Sequence, residues 1–171
     1  VFAIQNKGII NVSPTTEIIT PDNGMVILRV ADSAYINNSG TKIVVPNSSI
    51  GIFARNSAII NDGEIESKIF SGTKAVQSTG IYTEKFGTVI NRNKINLGDE
   101  GIGIFGYYSN IINDVTGIIN SGDFGVGEYV TLGSAVENYG KILVGNQGVG
   151  IYADNISGAA GVLGIGKENK I

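Results

Sequence analysis

Aliphatic and small residues alternate with polar ones over runs of four to six positions, and Gly and Asn punctuate the runs. That is strand text separated by tight turns, and it repeats. The fullest copies are Gly51-Ile52-Phe53 with Ile59-Ile60-Asn61-Asp62-Gly63-Glu64-Ile65, and Gly80-Ile81-Tyr82 with Val89-Ile90-Asn91-Arg92-Asn93-Lys94-Ile95. Looser copies pair Gly103-Ile104-Phe105 with Ile111-Ile112-Asn113, and Gly125-Val126-Gly127 with Val136-Glu137-Asn138. A last one opens at Gly150-Ile151-Tyr152. The anchor glycines recur every 22 to 29 residues, too short a period for paired helices and a good fit to three short strands. Leucine-rich repeats share the period, but their Leu-x-x-Leu-x-Leu framework is missing. The pattern predicts an all-β chain: a parallel, right-handed β-helix solenoid of about seven turns, each of 22–25 residues. At roughly 4.8 Å per turn it would be about 34 Å long. Residues 1–171 read as a single β-helix segment with an insertion-like stretch over 66–79.

Aligned on Asn, the repeats divide into faces. Two places before it stand Ile4, Ile59, Val89, Ile111 and Val136, the predicted core column. One place before stand Gln5, Ile60, Ile90, Ile112 and Glu137, predicted to face solvent. Four places before, Ser57, Gly87, Ser109 and Ser134 are small, as an inward site at a tight corner requires. Four places after stand Ile10, Ile65, Ile95 and Ile142, with Gly117 the exception in a turn that carries extra residues. The Asn column itself (Asn6, Asn38, Asn61, Asn91, Asn113, Asn138) is predicted to be scaffold. Asn tolerates the left-handed backbone of a sharp turn, and stacked amides can bond up a ladder. Gly8, Gly40, Gly63 and Gly140 follow two places later and relieve the next bend.

Two places after each anchor Gly stand Phe53, Tyr82, Phe105, Gly127 and Tyr152. Their neighbours Ile52, Ile81, Ile104, Val126 and Ile151 are the inward ones, so alternation puts the rings outside. An exposed aromatic strip would grip a sugar or a protein partner. The alternative is that the strand bends there and the rings merely cover a corner. Tyr107, Tyr108 and the stretch Glu128 to Leu132, with Tyr129, fall between anchors in variable segments, where binding residues concentrate.

Composition narrows the chemistry. With no Cys and no His there is no disulfide framework, no thiolate metal site and no Ser-His triad. Net charge is −3 and the basic residues are scattered, which argues against nucleic acid. No run of apolar residues is long enough for a membrane helix. Asn113-Asp114 or Asp154-Asn155 alone cannot supply a calcium ion with six oxygens, so neither a metal site nor a cofactor is expected. Gly-Val-Gly-Ile and Gly-Ile-Gly-Ile recur at the repeat period and lead into strands; they are turns, not nucleotide loops. Glu64 and Glu66 share a face, but Lys94 and Lys141 occupy the column of Glu64, which suggests charge pairing across turns. Asp99-Glu100 lies between Gly98 and Gly101 in a turn. No catalytic carboxylate pair is therefore assigned.

The phrase Val136-Glu137-Asn138-Tyr139-Gly140-Lys141-Ile142, followed by Gly148-Val149-Gly150-Ile151-Tyr152-Ala153, resembles the passenger domains of bacterial type V autotransporters. The likeness is greatest to the very large outer-membrane adhesins of fusobacteria, and it runs from about Gly51 onward. The resemblance implies a non-enzymatic adhesin segment, a rigid stalk presenting loops to a protein or glycan receptor on host cells or other bacteria. It also implies display on the bacterial surface, anchored in the outer membrane through a C-terminal barrel that this chain does not contain. The chain begins and stops inside repeat-like text, as expected of a piece of a longer solenoid. The other reading is a carbohydrate-active β-helix, a polysaccharide lyase or glycoside hydrolase, which would need acidic side chains gathered in one groove.

Overall fold

A computed structural model describes residues 2–6, 15–154 and 163–165. The described chain is a parallel β-solenoid of about six turns with no helix, one fewer turn than the period suggests. Each full turn lays down three strands, one in each of three stacked parallel sheets. The first sheet holds Phe2–Asn6, Val26–Ala31, Ile50–Arg55, Thr79–Glu84, Ile102–Tyr107, Val126–Thr131 and Val149–Asp154. The second runs from Ala34–Asn37 through Ala58–Asn61, Thr88–Asn91, Asn110–Asn113 and Ala135–Asn138 to Leu163–Ile165. The third runs from Glu17–Ile19 through Lys42–Val45, Glu64–Ser67, Lys94–Asn96 and Ile118–Ser121 to Lys141–Val144. Within the insertion-like stretch, Ile69–Phe70 and Thr73–Lys74 pair antiparallel as a small hairpin, while 66–67 and 79 belong to solenoid strands.

Because the strands stack in register, equivalent aliphatic side chains form columns through the core. Ile59, Val89, Ile111 and Val136 form one, and Ile43, Ile65, Ile95 and Ile119 another. All eight are at most 2% exposed. Ile119, not Gly117, continues the second column, since Asp114 to Gly117 fill the extra turn. Burying such side chains is what holds a solenoid turn to its neighbours.

In the first sheet, strand burial departs from strict alternation. The second and third positions are both inward, as in Gly51-Ile52, Gly80-Ile81 and Gly103-Ile104. The backbone bends there and adjacent turns come close. A Cβ on Gly80 would lie 2.6 Å from the carbonyl oxygen of Gly103 and 2.8 Å from Ile95 Cγ2. Gly80→Ala should therefore cost about 1–3 kcal/mol, read as a lowered urea midpoint.

Register corrects four sequence expectations. The buried column contains Asn37 and not Asn38: Tyr35, two places before Asn37, fills the core at 1% exposure, while Ile36 is 44% exposed. A one-residue slip exchanges the two faces, and the Asn37-Asn38 pair made either register readable. Asn6 pairs with Val30, so Phe2–Asn6 belongs to the first sheet and Asn6 is outside the Asn column. The anchor in the fourth repeat is Gly127, not Gly125, which carries Tyr129 and Glu128 into the strand Val126–Thr131 in place of a variable loop. Nor does the Asn column supply the left-handed corners. Among the described residues the left-handed positions include Asp32, Asn56, Lys85, Phe86, Tyr108, Leu132 and Gly133 on one edge of the first sheet, and Gly24, Ser48, Gln77, Glu100, Phe124 and Gln147 on the other. Gly8 and Ile10 lie outside the described residues.

Candidate binding face

Once Gly127 is the anchor, the aromatic column is complete. Phe53, Tyr82, Phe105, Tyr129 and Tyr152 stand opposite one another on successive strands of the first sheet. Neighbouring ring centroids are 5.2, 4.8, 4.9 and 4.8 Å apart, with interplanar angles of 8°, 8°, 16° and 28°. The rings point away from the core onto the sheet's outer surface, half-buried by one another, and Tyr152 is 43% exposed. The bend at the anchor glycine does not fold them under a corner, because it falls before the ring position and alternation resumes after it. Arg29 occupies the ring position one turn earlier, its Cζ 6.0 Å from the centre of Phe53, closing that end with a cation–π contact. Burial among the rings, with Glu84 and Tyr107 nearby, pushes the Tyr82 hydroxyl above its ordinary value.

Beside the rings runs a second outward column, Ile50, Thr79, Ile102, Val126 and Val149, mostly aliphatic. The outer face of this sheet is thus two apolar columns wide and several turns long. A scaffold gains nothing by exposing such a stripe to water, and contiguous apolar patches mark contact surfaces.

The other flank of the strip opens into a groove of about 700 Å³, lined by Asp32, Arg55, Asn56, Lys85, Phe86, Tyr107 and Tyr108. Tyr107 is the last residue of its strand, and Tyr108 turns the corner in left-handed conformation. Their rings meet edge to face at 5.1 Å, and Phe86 leans on Tyr108 at 6.3 Å. The strip and the groove form one continuous face through Tyr107. The sequence singled out both tyrosines but not Phe86, Asp32, Asn56, Arg55 or Lys85, which come together only because consecutive turns stack.

The acids do not gather. Glu66 pairs with Lys42 at 3.1 Å, Glu84 with Arg55 at 3.6 Å, and Asp62 and Asp114 flank Arg92 at 3.9 and 3.5 Å. Among the described residues no ion pair joins Glu64 to Lys94, although they are opposite in register. Asp99 and Asp123 turn out to be corner residues: Asp99 accepts from the backbone N–H of Asp123 at 2.9 Å, and Asp123 from that of Asn146 at 2.7 Å. Among the described acids only Glu128 is buried, in the inward column between Ile104 and Ile151, with both carboxylate oxygens unpartnered. Desolvation raises its pKa from 4.5 to about 8. No described group of three or more His, Cys, Asp or Glu is placed to hold a metal.

The Asn amides form an inner ladder. The Nδ2 of Asn37 donates to Oδ1 of Asn61 at 2.7 Å, that of Asn61 to Asn91 at 2.8 Å, that of Asn91 to Asn113 at 2.8 Å, and that of Asn113 to Asn138 at 2.7 Å. These side chains are at most 3% exposed and out of reach of any external ligand.

Compared with known proteins, the chain matches no family model, no curated protein and no solved structure.

Proposed function

We propose that this chain is a structural and binding segment of a bacterial surface adhesin, a rigid stalk that contacts a receptor on host cells or other bacteria through the outer face of its first sheet. The observation that carries the reading is the unbroken column of five stacked, partly exposed rings running beside a second outward, mostly aliphatic and half-buried column. Aromatic side chains supply large, stiff contact area at little entropic cost, and they dominate binding energy where they cluster. The chemistry is consistent with adhesion rather than hydrolysis, since Glu66, Glu84 and Asp114 engage in ion pairs and Asp99 and Asp123 in corner hydrogen bonds, so that these acids do not gather in one groove. The segment's resemblance to autotransporter passengers supports the same reading and, if it holds, implies display on the outer face of the outer membrane.

The test is adhesion of beads coated with the purified chain to epithelial cells and to bacterial cells. Tyr82→Ser combined with Phe105→Ser should reduce capture by at least about fivefold. The same pair of changes removes three ring contacts and should lower stability by about 2 kcal/mol, leaving a folded chain. Capture unchanged in a measurably destabilised variant would make the ring column a structural spine and overturn the reading.

A further inference from the structure

Phe86 breaks two rules at once. It is 82% exposed, and its backbone sits at φ 66°, a left-handed conformation unfavourable to a side chain of its size. The corner that contains it, 85–87, has one residue more than the corner of the next turn, where Tyr108 and Ser109 suffice. Two turns on, the corner 132–134 carries the same extra place, and there it is Gly133 at φ 69°. Glycine is the residue that geometry favours. A phenylalanine there adds strain and an apolar surface in water, and contributes nothing to the core. Strain held at a surface site points toward contact with something outside the fold.

The surroundings say what that contact is. Phe86 and Tyr108 are tilted by 53°, and Tyr107 stands at 84° to Tyr108, so the three rings make an open angular wall. Asn56 donates to one carboxylate oxygen of Asp32 at 3.0 Å, leaving the second oxygen and the amide carbonyl facing water. Lys85 is exposed and joins no ion pair among the described residues, whereas Arg55 already engages Glu84. The lining thus holds two cations against one anion in a chain whose net charge is −3. An apolar peptide side chain would satisfy the rings and strand the polar groups. An ammonium ligand would suit the rings but meet Lys85 and Arg55. A pyranose uses both: its C–H face packs on an aromatic ring, its hydroxyls bond to carboxylate and amide, and an acidic substituent meets the free lysine.

We propose that this corner groove binds a carboxylate-bearing sugar at the exposed end of a glycan. The site rests on the adhesion reading and narrows its ligand. Phe86 and Tyr108 stack on the ring, Asp32 and Asn56 take its hydroxyls, and Lys85 takes its carboxylate. The carboxylate has two common chemical sources, a sialic acid or a uronic acid, and the groove's polar set is shared by both.

The experiment is saturation-transfer NMR and titration of the purified 171-residue chain with 3′-sialyllactose, a hyaluronan tetrasaccharide and lactose. At least one of the two carboxylated sugars should bind, with lactose about tenfold weaker or silent. Phe86→Gly should weaken that binding by at least about tenfold while leaving the melting temperature unchanged or higher, since glycine relieves the left-handed strain. Lys85→Gln should erase the preference over lactose. Phe124→Ala, at an exposed left-handed phenylalanine on the opposite corner, should change nothing. Failure of both acidic sugars to bind, equal binding of lactose, or full binding by Phe86→Gly would each overturn the proposal. Beads that adhere to cells while no acidic sugar binds would sink this inference and spare the adhesion reading; sugar binding by beads that adhere to nothing would do the reverse.

Discussion

Glu128→Ile should make this solenoid markedly more stable at pH 8 while changing it least at acidic pH. Glu128 stands where its neighbours along the column are Ile104 and Ile151, fully buried, with neither oxygen partnered. Its carboxyl titrates near 4.5 in the unfolded chain and near 8 in the folded one. Below 4.5 both states hold the proton and the ionisation penalty is absent. Between 4.5 and 8 the unfolded chain is ionised while the folded one keeps its proton, so stability falls as pH rises. Above 8 the loss levels off, at about 5 kcal/mol from a shift of this size. The informative comparison is Glu128→Gln, which keeps the shape and cannot ionise. Urea midpoints of wild type and Glu128→Gln should converge near pH 4.5 and diverge steadily toward pH 8, with Glu128→Gln the more stable. The isoleucine variant should lie above both throughout, because it also removes the two unpartnered oxygens and completes the aliphatic column. Parallel pH profiles for wild type and Glu128→Gln would mean that water or an unseen partner reaches the carboxylate, and would contradict the buried geometry.

Glu128 is also where reading the sequence failed most instructively. Alternation, the Gly and Asn punctuation and the repeat period made the solenoid and its three-strand turn legible, because stacked identical turns reduce the fold to one short pattern. Register within a turn was less secure. Gly125-Val126-Gly127 offers two anchors two residues apart, and the choice of the first left a gap in the aromatic column at Gly127. The alignment that fills the gap with Tyr129 also drives a glutamate into the core, which pattern reasoning resists. The strand adopts it because Tyr129's two ring neighbours, Phe105 and Tyr152, and the Gly103–Gly127 close approach outweigh one neutralised carboxyl. Asn37-Asn38 posed the same one-residue ambiguity, and the core volume of Tyr35 decided it. The groove was illegible for another reason. Asp32, Asn56 and Phe86 belong to three successive turns, and nothing in the repeat text marks the corner at which they meet.

Asn91→Ala should destabilise the chain by about 3–5 kcal/mol, the largest loss expected from any single polar substitution here. Asn91 is a middle rung: it accepts from Asn61 at 2.8 Å and donates to Asn113 at 2.8 Å. Truncation leaves an amide donor on Asn61 and an oxygen on Asn113 without their partners, in a place that solvent does not reach. Each orphaned group costs about 1–3 kcal/mol, and a small cavity adds to it. Asn91→Leu fills the space but not the hydrogen bonds, so it should recover only part of the loss. Asn113→Ala should behave like Asn91→Ala, because it too bonds on both sides. Asn110→Ala, one exposed residue on the same sheet, should stay within about 0.5 kcal/mol of wild type. Chemical denaturation gives the stabilities, and bead capture under conditions where every variant is folded gives the binding. The ladder lies inside the fold and the proposed binding face outside it, so capture per folded molecule should not change. A variant of Asn91 with full stability and lost capture would reverse that assignment and make the Asn column part of the binding site.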